Sequence, residues 1–175
     1  MKYIENEDTL VIQMAREFQR RDAWFGEPLT QAVIFLYQEL LDPTPGFEFH
    51  WGGTTPRSPR LTETLEYARG RRWLRWETRL GHYGPTYLPT PKGLKVCETS
   101  LWSIRGERIL ALLDSILPNF AQPMATVQFF RAKYDDEVGQ KRLQALCPEV
   151  AQEWGSCVGL LDHLRATECR PGALA

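Results

Sequence analysis

Histidine is rare in this sequence of 175 residues, and its cysteines are not paired at short spacing. The histidines are His50, His82 and His163. The cysteines, Cys97, Cys147, Cys157 and Cys169, are separated by 50, 10 and 12 positions. Structural zinc usually takes thiolate and imidazole ligands at short spacing, so this pattern disfavours a metal site. We expect free thiols, with Cys97 and Cys157 semi-buried on helices.

Long apolar runs are missing as well. Residues 32–37 and 109–113 form the longest ones, and both are far shorter than the roughly 20 residues that span a bilayer. The first residues show no signal-peptide pattern, so we expect a cytoplasmic protein with no membrane partner. A hydrophobic fraction of 43% and six tryptophans are typical of a folded globule and exclude a disordered chain.

Motifs for common enzyme chemistry are absent from the sequence. Gly52-Gly53 is not a phosphate loop, because no Lys-Ser or Lys-Thr pair follows it at the required distance. No Gly-x-Ser-x-Gly elbow is present. The acids of residues 135–137 are explained by the start of a helix. We therefore expect a protein that is not an enzyme and that needs no cofactor and no metal.

Positive charge is concentrated between Arg57 and Lys95. This stretch has nine basic and three acidic residues, an excess of six positive charges, although the whole chain has a net charge of -1. Such an excess is what binding to a phosphate backbone requires, because each neutralised phosphate releases condensed counterions. The alternative is that these arginines only solubilise the surface.

The same stretch has the pattern of a helix followed by a β-hairpin. Leu61, Leu65 and Ala68 are spaced for one face of a helix over residues 58–69. Residues 73–80 alternate with period two and residues 86–89 supply a second strand, joined by a turn over residues 81–85. The alternation predicts that Leu74 and Trp76 face the core and that the cationic side faces solvent.

Helices account for most of the remaining chain. Pro28 predicts the start of a core helix that stops at residues 42–46, and residues 47–51 alternate like a third strand of the hairpin sheet. Asp8 and Thr9 are candidate caps of a first helix. We predict a mainly α fold with a small β-hairpin: a winged helix-turn-helix core in residues 1–98 and a packed C-terminal helical extension in residues 99–175.

This pattern favours a small bacterial or phage DNA-binding regulator. We expect the helix of residues 58–69 to enter the major groove and the hairpin to contact phosphates or the minor groove. The candidate nucleic-acid-binding residues are Arg57, Arg60, Thr62, Glu63, Tyr67, Arg69, Arg71, Arg72, Trp73, Arg75, Arg79 and His82. Trp73 could stack on a base, anchor a protein partner or close over the sheet as core, whereas Trp51, Trp76 and Trp154 are expected in the core.

Several short motifs resemble a known family. They are residues 47–49, Ser58-Pro59-Arg60-Leu61, Tyr83-Gly84-Pro85, residues 88–93 and the segment of residues 124–130. Together they resemble the bacterial YwgA-like proteins and the related Panacea (SocA-like) antitoxin domain over about residues 30–165. The resemblance implies a helical domain with a winged-helix-like core, in families whose members act as antitoxins bound to a partner protein or are uncharacterised.

Two kinds of partner follow from these patterns. Double-stranded DNA is the first, and a toxin or other protein bound by the same winged helix is the alternative. The C-terminal helices could in addition form a homodimer interface, or they could cover the second helix of their own chain. The residues concerned are Phe129, Phe130, Trp154 and Leu161.

Overall fold

The computed structural model describes residues 6–43, 45–78, 81, 84–97, 108–114 and 120–168. Its helices are α1 (Asn6–Arg20), α2 (Glu27–Leu40), α3 (Pro59–Gly70), α4 (Pro91–Cys97), α5 (described over residues 108–114), α6 (Ala121–Lys133), α7 (Asp136–Leu146), α8 (Pro148–Gln152) and α9 (Trp154–Glu168). Its strands are β1 (His50–Trp51), β2 (Pro56–Arg57), β3 (Leu74–Thr78) and β4 (Pro85–Pro89). The described chain is mainly helical with small antiparallel β-structure, which confirms the predicted class.

Helix α2 lies at the centre of the fold. Residues 30–37 are buried without interruption, so this helix is covered on all sides. Pro28 lies in its first turn, as predicted. Helix α6 packs against α2, and one hydrophobic cluster joins residues of α1, α2, α3, α6 and α9. The core is therefore shared between the N-terminal and C-terminal parts of the chain.

The C-terminal helices are largely occupied within their own chain. Phe129, Phe130, Trp154 and Leu161, the residues considered for a dimer interface, are all buried. Helix α6 covers α2, and α9 covers α6. Helices α8 and α9 are separated at Glu153, whose N–H donates to the Val150 carbonyl oxygen (3.0 Å). These four side chains are not available to a second copy of the chain.

Two glutamines of α2 bind the backbone of the segment that precedes α3. The buried Gln31 side chain accepts from Ser58 N–H (2.9 Å) and donates to the Ser58 carbonyl oxygen (3.2 Å). Seven residues further along α2, Gln38 makes the same pair of hydrogen bonds with Phe47 N–H (2.8 Å) and the Phe47 carbonyl oxygen (2.9 Å). These contacts satisfy backbone groups that no strand pairs, and they fix both ends of residues 47–58 on α2.

The predicted third strand of the hairpin sheet is wrong. His50 and Trp51 pair with Arg57 and Pro56 in a ribbon of their own, while β3 pairs with β4. The reason is the tight turn between them, in which Gly52 N–H donates to the Thr55 carbonyl oxygen (3.1 Å). That turn returns the chain at once, so β1 meets β2 before it can reach the hairpin.

The hairpin itself is confirmed, but its burial is not the one predicted. In β3 only Leu74 is buried, whereas residues 86–89 of β4 are all buried. Trp76 is 45% exposed, so its assignment to the core is wrong, and Trp73 is 4% exposed. Trp73 precedes β3 and does not follow its alternation, since the turn after α3 directs it inward.

Other details differ at the helix ends or lie outside the described residues. Helix α1 already includes Asn6, so Asp8 and Thr9 lie inside its first turn and do not cap it. Trp154 is buried as predicted, and Trp51 is partly buried against the core. The predictions for Arg79, Leu80, His82, Tyr83 and Cys169 lie outside the described residues. The sequence also predicts an apolar helical stripe through Leu101 and Ile104 and a loose tail over residues 170–175, and these residues lie outside the described part as well.

The close approach of α4 to the end of the α3–β3 turn gives a first prediction. A Cβ atom at Gly93 would lie 2.2 Å from the Trp73 carbonyl oxygen. We expect Gly93→Ala to lower the free energy of unfolding by about 1 to 3 kcal/mol, since backbone must move. Gly159→Ala is the matched control, because its added Cβ meets nothing within 4 Å. That change should stabilise α9 by about 0.5 to 1 kcal/mol, and chemical denaturation of both variants compares them directly.

A second prediction concerns Gln31. Truncation by Gln31→Ala leaves the buried Ser58 N–H without its partner, and the Ser58 carbonyl oxygen keeps only the 3.3 Å hydrogen bond from Thr62 N–H, so we expect a loss of about 2 kcal/mol of unfolding free energy. Gln144→Ala, on the exposed side of α7, should stay within about 0.5 kcal/mol of wild type. Equal midpoints of urea unfolding for the two variants would contradict the anchoring role of Gln31.

Candidate nucleic-acid interface

The beginning of α3 is held by contacts within the chain. Ser58 caps the helix by accepting from Leu61 N–H, and the Arg60 guanidinium pairs with the buried Glu7 carboxylate at 2.7 Å. The Thr62 hydroxyl accepts from Gln31 (3.0 Å) and donates to Glu27 (3.0 Å). Two of the predicted nucleic-acid-binding residues, Arg60 and Thr62, thus make polar contacts within their own chain.

The end of α3 has an unusual backbone conformation. Arg72 N–H donates to the Arg69 carbonyl oxygen and Trp73 N–H to that of Ala68, both at 2.9 Å, with Arg72 at φ = 57°. This is a Schellman motif, whose left-handed position usually holds glycine because other residues lose about 1 to 2 kcal/mol there. An arginine in this position places a long cation at the tip of the turn at the expense of stability.

Helix α4 is attached directly to this turn. The Thr90 hydroxyl donates to the Arg72 carbonyl oxygen (2.6 Å) and accepts from Gly93 N–H (3.1 Å), so it joins the turn to the first turn of α4. Lys92 Nζ donates to the Arg71 carbonyl oxygen (3.0 Å). Lys95 follows three positions after Lys92 and therefore lies on the same side of α4.

We call Arg71, Arg72, Lys92 and Lys95 the cationic corner. All four side chains are exposed, and none of them forms an ion pair with a carboxylate in the part of the chain that the structure describes. Lys92 and Lys95 belong to the charge excess seen in the sequence, but they are not among the predicted site residues. Pro91 is the sequence feature that could have indicated their position, because it starts a helix directly after β4 and so places these lysines near the turn.

Three other arginines of the same stretch, Arg60, Arg69 and Arg75, are paired with carboxylates. Arg69 pairs with Glu66, and Arg75 pairs with Glu77 at 3.0 Å along β3. Arg60 lies eleven positions before Arg71, which is about 16 Å along a helix. Arg57 is exposed on β2, also at the beginning of α3, and Glu63 is exposed on α3 itself. The predicted arginines that the structure describes therefore form two groups toward opposite ends of α3, and Arg71 and Arg72, which lack a carboxylate partner among the described residues, lie at the C-terminal end.

An aromatic patch lies beside the cationic corner. Tyr67 is 41% exposed and packs edge-on against the buried Trp73, with ring centroids 5.8 Å apart. The Arg69 guanidinium lies 4.0 Å above the Trp76 ring, and that of Arg71 lies 5.3 Å from Trp73. Cations over indole rings are held by the ring quadrupole, which orders these arginines. Trp73 is covered and cannot stack on a base, whereas Trp76 presents an exposed ring.

Tyr87 lies on the buried strand of the hairpin and attaches this strand to the core. It is buried opposite Trp76 on β4, and burial raises the pKa of its phenol despite the hydrogen bond from the Trp76 side chain. Its backbone N–H donates to the Phe25 carbonyl oxygen (3.0 Å), while Phe25 N–H donates to the Thr86 hydroxyl (2.9 Å). Strand β4 is thus fixed to the segment between α1 and α2, and it carries β3 on its outer side.

An open groove beside the start of α3 is lined by Glu48, His50, Arg60 and Glu63. Among the residues that the structure describes, no group of three or more His, Cys, Asp or Glu side chains could hold a metal ion. His163 lies on α9, far along the chain from His50. No described helix is long and apolar enough to cross a membrane.

Comparison with known proteins adds no assignment. No family model matches the sequence, and no curated protein matches it. The resemblance to the YwgA-like and Panacea families stays a prediction that rests on the short motifs given above.

Three described cysteines are free and buried, which gives a third prediction. Burial raises the pKa of the Cys97 thiol to about 12 and that of Cys157 to about 11, and it also raises the pKa of Cys147. At pH 8 fewer than about one in 1,000 of the Cys97 and Cys157 thiols is ionised. We expect both to resist iodoacetamide in the folded protein and to react once guanidinium unfolds it, as measured by peptide mass mapping. Rapid labelling of either one before unfolding would contradict this burial.

Proposed function

We propose that this protein is a non-enzymatic DNA-binding protein that contacts the phosphate backbone of the duplex through its cationic corner. The observation that supports this most directly is the gathering, at the junction of α3, β3 and α4, of four exposed cations that have no carboxylate partner among the described residues. Phosphate oxygens supply the negative charge that such a group lacks, and release of their counterions drives binding.

The position of Arg72 supports the same proposal. Strained backbone persists where the surrounding structure enforces it, and it clusters at functional sites. Glycine would relieve this strain, but it would remove a cation from the tip of the turn. An arginine here is understandable if its charge is used.

We infer further that α3 and the β3–β4 hairpin act as a helix with its wing, the arrangement predicted from the sequence. Glu63 and Glu66 lie on the solvent side of α3, so phosphate contacts at its C-terminal end position the protein more than they read bases. Glutamate can still accept from cytosine, which leaves sequence choice to the exposed side of the helix. Regulation of transcription is the process that this mode of binding favours.

The fourth prediction tests the corner by salt dependence. Four neutralised phosphates predict that the logarithm of the association constant falls with the logarithm of salt concentration at a slope of about -3.6. Replacing both arginines by Arg71→Ala and Arg72→Ala should reduce the slope to about -1.8, measured by fluorescence anisotropy on a mixed-sequence duplex. Lys141→Ala with Arg165→Ala changes the net charge equally on α7 and α9 and should leave the slope unchanged. Equal slopes for the two double variants would overturn the assignment of the corner.

Arg72→Gly separates function from folding in the same experiment. We expect this variant to unfold at a higher denaturant concentration, because the left-handed position then carries no Cβ, with a gain of about 1 kcal/mol. It should nevertheless bind the duplex more weakly and with a slope reduced by about 0.9. A variant that is more stable and binds as tightly as wild type would show that Arg72 does not contact phosphate.

A second candidate is a protein-interaction module such as an antitoxin. The observation that favours it is the exposed aromatic patch of Tyr67 and Trp76, since aromatic residues anchor protein interfaces. Salt distinguishes the two functions, because a partner held by aromatic contacts is released far less by moderate salt than a duplex. If the protein does not bind DNA at low salt, the protein-interaction module is favoured.

A further inference from the structure

Strand β3 has one edge that carries no neighbouring strand. Within the described residues it pairs with β4 alone. Leu74 is buried, and the other four residues of the strand are exposed on both of its faces. The strand contains neither proline nor glycine, and no bulge interrupts its pairing with β4. Apart from its charged side chains, β3 therefore lacks proline, glycine or a bulge, which are features that prevent an edge strand from pairing with another strand.

The register shows which backbone groups lie on that open edge. Thr90 N–H donates to the Trp73 carbonyl oxygen, just beyond the pair of Leu74 and Pro89. Hydrogen-bonded and non-bonded pairs alternate in an antiparallel ribbon, so Arg75 and Glu77 bond to β4. Leu74, Trp76 and Thr78 then direct their N–H and carbonyl groups away from it.

The partners on β4 agree with this assignment. Leu74, Trp76 and Thr78 lie opposite Pro89, Tyr87 and Pro85. The prolines have no N–H to give, and Tyr87 N–H is used by Phe25 on the far side of β4.

We propose that β3 pairs with the β3 strand of a second copy of this chain, antiparallel and centred on Trp76, to form a symmetric dimer with a four-stranded sheet. In that register Trp76 exchanges both backbone hydrogen bonds with the second copy's Trp76. Leu74 and Thr78 do the same with the second copy's Thr78 and Leu74. Every outward backbone group of the strand then has a partner.

Charge complementarity identifies the occupant as a second copy. The same register puts Arg75 opposite the second copy's Glu77, and Glu77 opposite its Arg75. These are non-bonded pairs, in which side chains approach most closely, so two cross-strand ion pairs form on one face. A two-fold axis requires such a self-complementary surface, and the order Arg75-Trp76-Glu77 provides one. The dimer does not use the four unpaired cations of the corner, so it stands independently of the proposed DNA contact.

The fifth prediction tests this pairing by charge reversal. Arg75→Glu and Glu77→Arg each place like charges opposite one another, and we expect either single variant to weaken the dimer at least tenfold. The double variant restores opposite charges and should recover the wild-type dissociation constant. Sedimentation velocity from about 1 µM to about 1 mM protein, without DNA, measures this constant. Circular dichroism checks that each variant is folded, because the exposed Arg75–Glu77 pair contributes little to stability.

Two further variants complete the experiment. Thr78→Pro removes an outward N–H without removing a bond to β4, so it should abolish the dimer and keep the hairpin. Lys141→Glu reverses one charge of an exposed ion pair on α7 and should leave the dimer intact.

Three outcomes would overturn the proposal. They are a wild-type protein that stays monomeric at every concentration, a double variant that associates no better than the singles, and a dimer that survives all the β3 variants. The last outcome would assign the dimer to a surface other than β3.

Discussion

The structure depends on the pair of hydrogen bonds between the Gln31 side chain and the backbone of Ser58. Helix α2 is buried on all sides, so a polar side chain on it is stable only when a partner satisfies it. Ser58 provides that partner and is also the cap of α3. The same contact therefore provides hydrogen-bond partners for the buried Gln31 side chain and determines where α3 starts. Since α3 has a fixed rise per residue, its start also determines where its C-terminal turn lies.

The cationic corner proposed to bind DNA lies at that C-terminal turn. The Schellman motif at Arg72 ends α3 and turns Trp73 inward, and buried Trp73 anchors the beginning of β3. Gly93 then allows α4 to approach the Trp73 carbonyl group more closely than a side chain would permit. The cationic corner is the result of these three local features together. None of them is a binding motif in itself, and their combination brings Lys92 and Lys95 next to Arg71 and Arg72.

The hairpin has two sides with different roles. Strand β4 is buried and tied to Phe25, whereas β3 is exposed and carries the Arg75–Glu77 pair. A stable inner strand can support an outer strand that contributes little to the core. Such an outer strand is free to serve contacts with other molecules, because its side chains are not needed for packing.

The sequence by itself determined the types of the elements and the site of the charge excess. Local spacing was sufficient for α2, α3, α7 and the hairpin, since period and caps act within a few residues. The partner of β1, the exposure of Trp76 and the choice of which arginines stay unpaired were decided only by the tertiary structure. The Arg60 side chain is paired with Glu7, 53 positions away, whereas Thr90, 18 positions away, binds only the backbone carbonyl oxygen of Arg72. Alternation along β3 could not reveal that the core ends at Leu74, because burial depends on what the rest of the chain places above each strand.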